Sequence, residues 1–300
     1  MEKILKFDTY EQYLSHDKSI PMVSKVDDIS KVYIERKYMV FTYNITNIDT
    51  PTVLYNIKPD NIDFMVIDGN TYDLSNQHLF TSIGEHKVKF GINKEFNSLP
   101  NNAFNGISSL IDVIIPKEVI SIGDLCFSNC GNIKNVTFED GSELTTIGYS
   151  AFYGNFMLEK IIIPKGVSKI NTTTFRDCFN LSSVTFEEGT IVSEFGNNAF
   201  GLCGFEEFDV PSSVTFMDQY SLCSIGKLKT LRCYGTTRPR IGNHTFEGVA
   251  QNGVLYYPNG SDYSAWFGTS TYLLGYYNWT SKTMTKQEDG NWIVDESEIN

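Results

Sequence analysis

Between residues 104 and 246 the chain returns seven times to one motif: an apolar anchor, a short polar turn, an aliphatic cluster and then usually Ile-Gly. The anchors are Phe104, Phe127, Phe152, Phe175, Phe200, Leu222 and Phe246, spaced 23, 25, 23, 25, 22 and 24 residues apart. A unit this short cannot bury its apolar face alone. It must bury it against copies of itself, and a fixed period of this length specifies a solenoid. The expected fold is a mainly β repeat solenoid of about seven turns of 22–25 residues, preceded by a small α+β and β-rich N-terminal region.

The repeats alternate in two flavours. In one, the aliphatic run ends in proline, at Pro116, Pro164, Pro211 and Pro258, which fall 48, 47 and 47 residues apart. In the other, the run enters an acidic turn, as at Glu139-Asp140-Gly141 and Glu187-Glu188-Gly189. The unit of duplication is therefore a pair of repeats. Proline has no backbone donor, so it ends a strand on one face of the stack. The glycines after the recurring Ile, Gly123, Gly148 and Gly242, suit a bend with unusual backbone angles.

Six cysteines stand at 126, 130, 178, 203, 223 and 233. Cys130, Cys178 and Cys203 lie three residues after an anchor, where other repeats carry Ile107, Asn155 and Ile225. A position shared by Cys, Asn and Ile reads as a small buried slot facing the solenoid axis. Neither a disulfide framework nor a zinc set is indicated, because no second Cys/His pair completes Cys126 and Cys130.

Residues 1–50 stand outside the repeat. Thr9 to Gln12 has the form of a capping box ahead of a short helix at 10–16, followed by strand-like runs at 22–26, 32–34 and 38–43. This is read as a small α+β anchoring or adaptor unit. Residues 51–95 carry further strand-like runs and an Asp68-Gly69 hairpin signal, and are read as a β-rich cap or linker over the first repeat's open edge. The solenoid spans 96–258, an aromatic C-terminal cap 259–280 and a polar, acidic tail 281–300.

The combination of Ala151-Phe152, Leu158, Ile161-Ile162-Ile163-Pro164, Val167 and Ile170 resembles the BspA-type leucine-rich repeats, and the resemblance covers a little over half the chain. The closing segment, Leu255 to Trp266 and on to Trp279, also resembles the C-terminal end of such proteins from gut bacteria and their phages. The resemblance implies a non-catalytic, surface-exposed binding or structural protein whose specificity lies in side chains on a continuous sheet. The order of a distinct N-terminal unit followed by a binding array resembles phage fibre or decoration proteins. The leading expectation is a virion surface component, held to other virion proteins through its N-terminal unit and compatible with a homo-oligomer. Its repeats would face a host-surface glycan or protein. The alternative is a secreted or cell-surface bacterial adhesin that binds host matrix or other cells. A third reading is an accessory to a carbohydrate-active enzyme that uses the aromatic C-terminal region.

Charge and motif content narrow the field. A net charge of −12 has the wrong sign for a phosphate-neutralising surface, which excludes nucleic acid as the expected partner. No apolar run is long enough to span a membrane, and the first residues lack the apolar core of a secretory leader. The chain is therefore read as one whose leader was removed or that reaches a surface by another route. His16, His78, His86 and His244 sit in no triad or metal motif, so no catalytic residue, cofactor or metal is expected. The pairs Glu139-Asp140, Glu187-Glu188 and Glu206-Glu207 recur along the repeats and are expected to form an acidic row on one face. The candidate binding residues are the C-terminal aromatics Tyr256, Tyr257, Tyr263, Trp266, Tyr276, Tyr277 and Trp279. They read either as a stiff contact surface or as the cover of the last repeat.

Overall fold

The computed structural model describes residues 37–295. The helix expected at 10–16 and the strands expected at 22–26 and 32–34 lie outside the described residues. The chain folds as a β-solenoid of about eight turns with almost no helix.

Ahead of the repeats stand β1 (Lys37–Ile45), β2 (Thr52–Val53), β3 (Ile62–Ile67), β4 (Asn70–Tyr72), β5 (Gln77–His78) and β6 (Gly84–Ile92). Each repeat then alternates a two-residue strand with a longer one: β7 (Ser98–Leu99), β8 (Leu110–Ile115), β9 (Ser121–Ile122), β10 (Asn135–Phe138), β11 (Thr146–Ile147), β12 (Lys160–Ile163), β13 (Lys169–Ile170) and β14 (Ser183–Phe186). The series continues with β15 (Glu194–Phe195), β16 (Glu207–Val210), β17 (Phe216–Met217), β18 (Thr230–Cys233), β19 (Arg240–Ile241) and β20 (Val254–Pro258). The longer strands stack in parallel into one long face and the short ones into a second row.

The core is a column of rings. Phe104, Phe127, Phe152, Phe175 and Phe200 stack face to face, with centroids 5.1, 5.5, 5.5 and 5.6 Å apart and planes within 8° of parallel. Leu222 interrupts the column, and Phe205 and Phe208 fill the space against Phe200. Phe246 meets Trp266 at 5.1 Å. The residue before each anchor is small and fully buried, as Ala151, Thr174 and Ser221 are, because the next turn lies directly against it.

The glycine expectation is corrected. Gly123, Gly148 and Gly242 do not have positive φ; a Cβ on them would fall 2.5, 2.6 and 2.4 Å from the backbone nitrogens of Asn101, Asp124 and Gln219 on the preceding turn. They are glycine because a neighbouring backbone passes through the space of a side chain. The left-handed positions lie elsewhere. In every repeat the residues two before and two after the anchor have positive φ, from Asn102 and Gly106 through Leu125 and Asn129 to His244 and Gly248.

From Lys37 on, the segment ahead of the repeats is also more continuous with them than its sequence suggests. β1 pairs with β6 on one side and, antiparallel, with β8 on the other. Thus a strand assigned to the 1–50 unit lies inside one sheet with the 51–95 segment and the solenoid. Met39, Phe41 and Tyr43 alternate inward, and the Phe41 ring sits 4.8 Å from Phe104, so β1 closes the first repeat. Asp68 and Gly69 form the expected tight turn between β3 and β4, both with positive φ.

At the far end two 3₁₀ turns, at Ser264–Phe267 and Leu274–Tyr277, cover the last repeat. Within the segment expected as a tail, the described residues 281–295 are ordered into the sheet: β21 (Thr280–Lys286) joins β20 in parallel and turns back into β22 (Trp292–Val294). Met284 is buried, and the Thr283 and Thr285 hydroxyls donate to the Asp295 carboxylate at 2.8 and 2.9 Å. Alternating Thr and Met on a strand edge made this segment an extra rung despite its polar composition.

Candidate binding surface on the long sheet

The alternation within each longer strand sends every second side chain outward. In β12, Ile161 and Ile163 are buried while Lys160 and Ile162 face solvent, Ile162 at 57% exposure. Paired register aligns these positions into two columns, Asp112, Asn135, Lys160 and Ser183 beside Ile114, Thr137, Ile162 and Thr185. The outer face is thus a ladder of hydroxyls, amides and charges interrupted by exposed isoleucines.

This face is opened at regular places. β8 with β10, β12 with β14, and β16 with β18 each align over four residues, whereas β10 and β12 align at one, Asn135 with Lys160, and no ladder joins β14 to β16. The prolines account for much of this. Glu139 N donates to Ile115 O and Glu187 N to Ile163 O, both at 3.0 Å, and Tyr234 N to Val210 O at 3.1 Å. At the alternate junctions that donor position is Pro164 or Pro211, which have no N–H to give. The paired repeats read from sequence are therefore paired strands, with a seam after each of the first two pairs, while β18 runs on into β20 over three aligned residues.

Each seam carries a groove. The one between β10 and β12, about 400 Å³, is lined by Thr137, Asp140, Lys160, Ile162, Thr185 and Glu187. The one between β14 and β16, about 610 Å³, is lined by Phe179, Ser183, Glu207, Asp209, Lys227 and Arg232 among others. In the second, Arg232 Nη1 donates to Glu207 Oε2 at 2.8 Å and Asp209 Oδ1 at 3.3 Å, and the Tyr234 hydroxyl donates to Asp209 Oδ2 at 3.2 Å. Partial burial works against the Arg232 charge, but hydrogen bonds and attraction from these two carboxylates outweigh it and raise its pKa. Burial and the Asp209 charge push the Tyr234 hydroxyl up to about 12.

The C-terminal aromatics are placed differently from a contact surface. Tyr263 and Trp266 are fully buried, and Tyr277 and Trp279 nearly so. Three of their polar ends serve the chain itself: Tyr263 OH donates to Gly235 O at 2.9 Å, Tyr277 OH to Thr271 O at 2.8 Å and Trp279 Nε1 to Ala250 O at 2.7 Å, while Trp266 Nε1 is buried without a partner. These four cover the last repeat. Tyr257 stacks on Tyr263 at 4.8 Å, half-buried, and Tyr256 lies beneath the Arg232 guanidinium at 5.9 Å. Tyr276, 49% exposed, is the one ring of the seven that presents itself openly to solvent.

The acidic row is corrected as well. Glu139 and Glu187 occupy one repeat position, and their carboxylates accept from Lys117 N and Lys165 N on the preceding turn at 3.2 and 3.0 Å. Glu206 and Glu207 instead precede and open β16, on the side of the repeat away from that turn. Similar acidic pairs thus differ in their bonds: Glu139 and Glu187 staple the preceding turn, whereas Glu207 pairs with Arg232 across the second groove.

Groups with chemical potential are bound into the structure. All six cysteines are free and buried. Cys130, Cys178 and Cys203 sit in the expected slot and donate to Phe104 O, Phe152 O and Phe175 O at 2.9, 3.3 and 3.2 Å. Burial pushes the Cys130 and Cys178 thiols up to about 12. Ser82, His86 and Asp68 come together, a grouping the sequence spacing did not reveal. His86 Nδ1 contacts the Asp68 carboxylate, while Nε2 lies 2.9 Å from Ser82 O and 3.4 Å from Ser82 Oγ. A nitrogen that donates to a backbone carbonyl has no lone pair for the serine, so this set ties a turn and does not form a nucleophilic triad. Among the described residues no cluster of three or more His, Cys, Asp or Glu is placed to hold a metal ion, and no helix is long and apolar enough to cross a membrane.

The BspA type leucine-rich repeat region model matches the chain in six copies, over residues 32–158, 97–229 and 145–260. The chain belongs to the BspA-type leucine-rich repeat family. Such repeat proteins are generally non-enzymatic, which agrees with a binding or structural role. No curated protein matches the chain by sequence. Among solved structures it is similar to a leucine rich cell surface protein from Faecalibacterium prausnitzii A2-165, at 18% identity over 58% of this chain and 60% of that one, with a TM-score of 0.39. It is also similar to a leucine-rich repeat protein from Bacteroides ovatus ATCC 8483, at 15% identity over 72% of each chain and a TM-score of 0.34. A third is the pneumococcal vaccine antigen PcpA, at 15% identity over 56% of this chain and 68% of that one, with a TM-score of 0.32. The chain thus spans about 60% of the length of the Faecalibacterium protein.

Proposed function

We propose that this BspA-type chain is a non-catalytic recognition protein displayed on a surface, and that the outer face of its long sheet is what it presents. The observation that carries this reading is a division of labour. Cysteines, the buried histidine and most C-terminal aromatics are consumed by packing, while the outward columns and the two seams keep hydroxyls, charges and isoleucines available. Specificity on such a scaffold comes from side chains on the repeated face.

A phage virion fibre or decoration component is the carrier we favour, with the segment ahead of the repeats attached to the particle and the array directed at a host-surface glycan or protein. The support for it is segment order. A bacterial cell-surface or secreted adhesin would use the same face. Immunogold electron microscopy on a native producing culture, with antibody raised against the purified protein, tests both. Gold on phage particles supports the virion reading and gold on the cell envelope the adhesin reading. Gold confined to the cell interior overturns surface display altogether.

A further inference from the structure

We propose that the groove between β14 and β16 is a binding subsite for a neutral saccharide, with the free side of the Phe179 ring as its stacking platform. The inference rests on the reading of the outer face as a recognition surface and assigns a place and a ligand chemistry within it.

The platform arises from a break in a ladder. Four residues after the anchors, the successive repeats carry Gly131, Phe156, Phe179 and Gly204. The two rings stack at 5.5 Å with planes 10° apart, 45% and 50% exposed. Phe156 lies over Gly131, where a Cβ would come within 3.0 Å of its Cδ2, so it has a neighbour on each side, that glycine and Phe179. Phe179 has a ring on one side only. On its other side the next repeat has Gly204 packed on the Phe179 backbone carbonyl and no ring to continue the stack, and both residues line the groove. A flat apolar face beside water is what the less polar side of a pyranose ring packs against.

The walls supply the complementary polarity. Ser183 and Thr185 offer hydroxyls from β14, while Glu207 and Asp209 offer carboxylates from β16, the latter held in place by Arg232. A carboxylate accepts from adjacent hydroxyls and a guanidinium donates to them, and here both are fixed before a ligand arrives. A volume of about 610 Å³ lies within the ordinary range for small-ligand sites.

The seam also argues against an extended peptide. Adding a strand between β14 and β16 requires a gap of about 9.5 Å, twice the usual strand spacing. At the start of the seam Gly204 N still donates to Leu181 O at 3.0 Å, so the opening is a wedge closed at one end. Charge selects among sugars. Glu206, Glu207 and Asp209 outnumber Lys227 and Arg232 along the groove, and the chain carries −12, so sialylated or sulfated glycans are repelled.

The test is a screen of the full chain on a printed panel of neutral and sialylated oligosaccharides, followed by calorimetric titration of the strongest neutral binder into wild type, Phe179→Ala, Thr185→Trp and Tyr276→Ala. Thr185→Trp fills the groove without removing the platform, and melting temperatures establish that each variant is folded. The expected result is neutral-glycan binding weakened at least tenfold by either groove substitution and unchanged by Tyr276→Ala. Binding that survives both groove substitutions overturns the subsite while leaving outer-face recognition standing. A blank panel also overturns it, and the outer-face reading is then judged separately by whether protein-coated beads capture a protein ligand that Ile162→Arg abolishes.

Discussion

The side-chain amide of Asn155 donates to the carbonyl oxygen of Phe127, one turn away, at 2.9 Å. It also donates to Phe152 O at 2.8 Å, and its own Oδ1 is buried with no partner. In neighbouring turns a cysteine thiol makes the equivalent bond to the anchor carbonyl of the preceding turn. From Cys130 to Cys203 the slot holds a small donor, and Asn fits it at the expense of one orphaned oxygen. Asn155→Ala leaves the buried Phe127 carbonyl unanswered, since Phe152 O keeps the Cys178 thiol, and is expected to cost about 1–3 kcal/mol. Asn155→Cys, which restores a donor and removes the orphan, is expected to stay within about 1 kcal/mol of wild type by urea denaturation.

The ring column makes a second expectation. Phe152→Ala removes a fully buried ring stacked on both sides and should cost about 3–5 kcal/mol. Because each turn touches only its neighbours, Phe127 and Phe152 should couple in a double-mutant cycle by more than about 0.5 kcal/mol, while Phe127 and Phe200 should add. Equal coupling in both cycles, read from denaturant midpoints, would contradict the nearest-neighbour account.

Leu125 occupies a left-handed position, φ 56°, that other repeats give to Asn102 or Asn198. A Cβ there costs about 1–2 kcal/mol for an ordinary residue, and Asn tolerates the region. Leu125→Asn should therefore raise the melting temperature, and a fall would show that the partly exposed Leu125 side chain contributes more packing than its backbone costs.

Burial holds the cysteine thiols protonated, with Cys130 and Cys178 raised to about 12. For a group whose folded pKa lies above its unfolded value of about 8.5, the stabilisation is full below that value and is lost as pH rises toward the folded one. Stability should accordingly decline from about pH 8.5 upward. At pH 8 the native thiols should resist iodoacetamide and react together on unfolding, which mass spectrometry resolves; rapid native labelling of Cys130 or Cys178 would contradict their burial.

The repeat, its anchors and its pairing were legible because each reflects a requirement that recurs in sequence: a ring every turn, a proline every second turn. What was not legible depended on contacts between turns or on distant segments. Gly123 looked like a bend residue because glycine has two uses, and only the passage of Asn101 N beside it distinguishes them. Glu187 and Glu207 looked equivalent because both stand in acidic pairs, although one accepts from the Lys165 backbone and the other from the Arg232 side chain. The Phe156 and Phe179 pair went unread because an exposed ring and a buried one have the same sequence signature. Trp266 and Trp279 illustrate the converse, since aromatics that suggested a contact surface are needed to close the last turn.

The groove proposal for the outer face depends on the seam between β14 and β16. With the even-numbered residues 206, 208 and 210 of the β16 segment directed at β18, the amides of Glu207 and Asp209 point into the groove. Residue-resolved hydrogen exchange on the free protein tests this most directly. The amides of Glu207 and Asp209 should exchange at least tenfold faster than those of Thr230 and Arg232, which face β16 across an intact ladder. Equal protection in the two strands would mean that the sheet is continuous there, and the groove, with the recognition site assigned to it, would not exist.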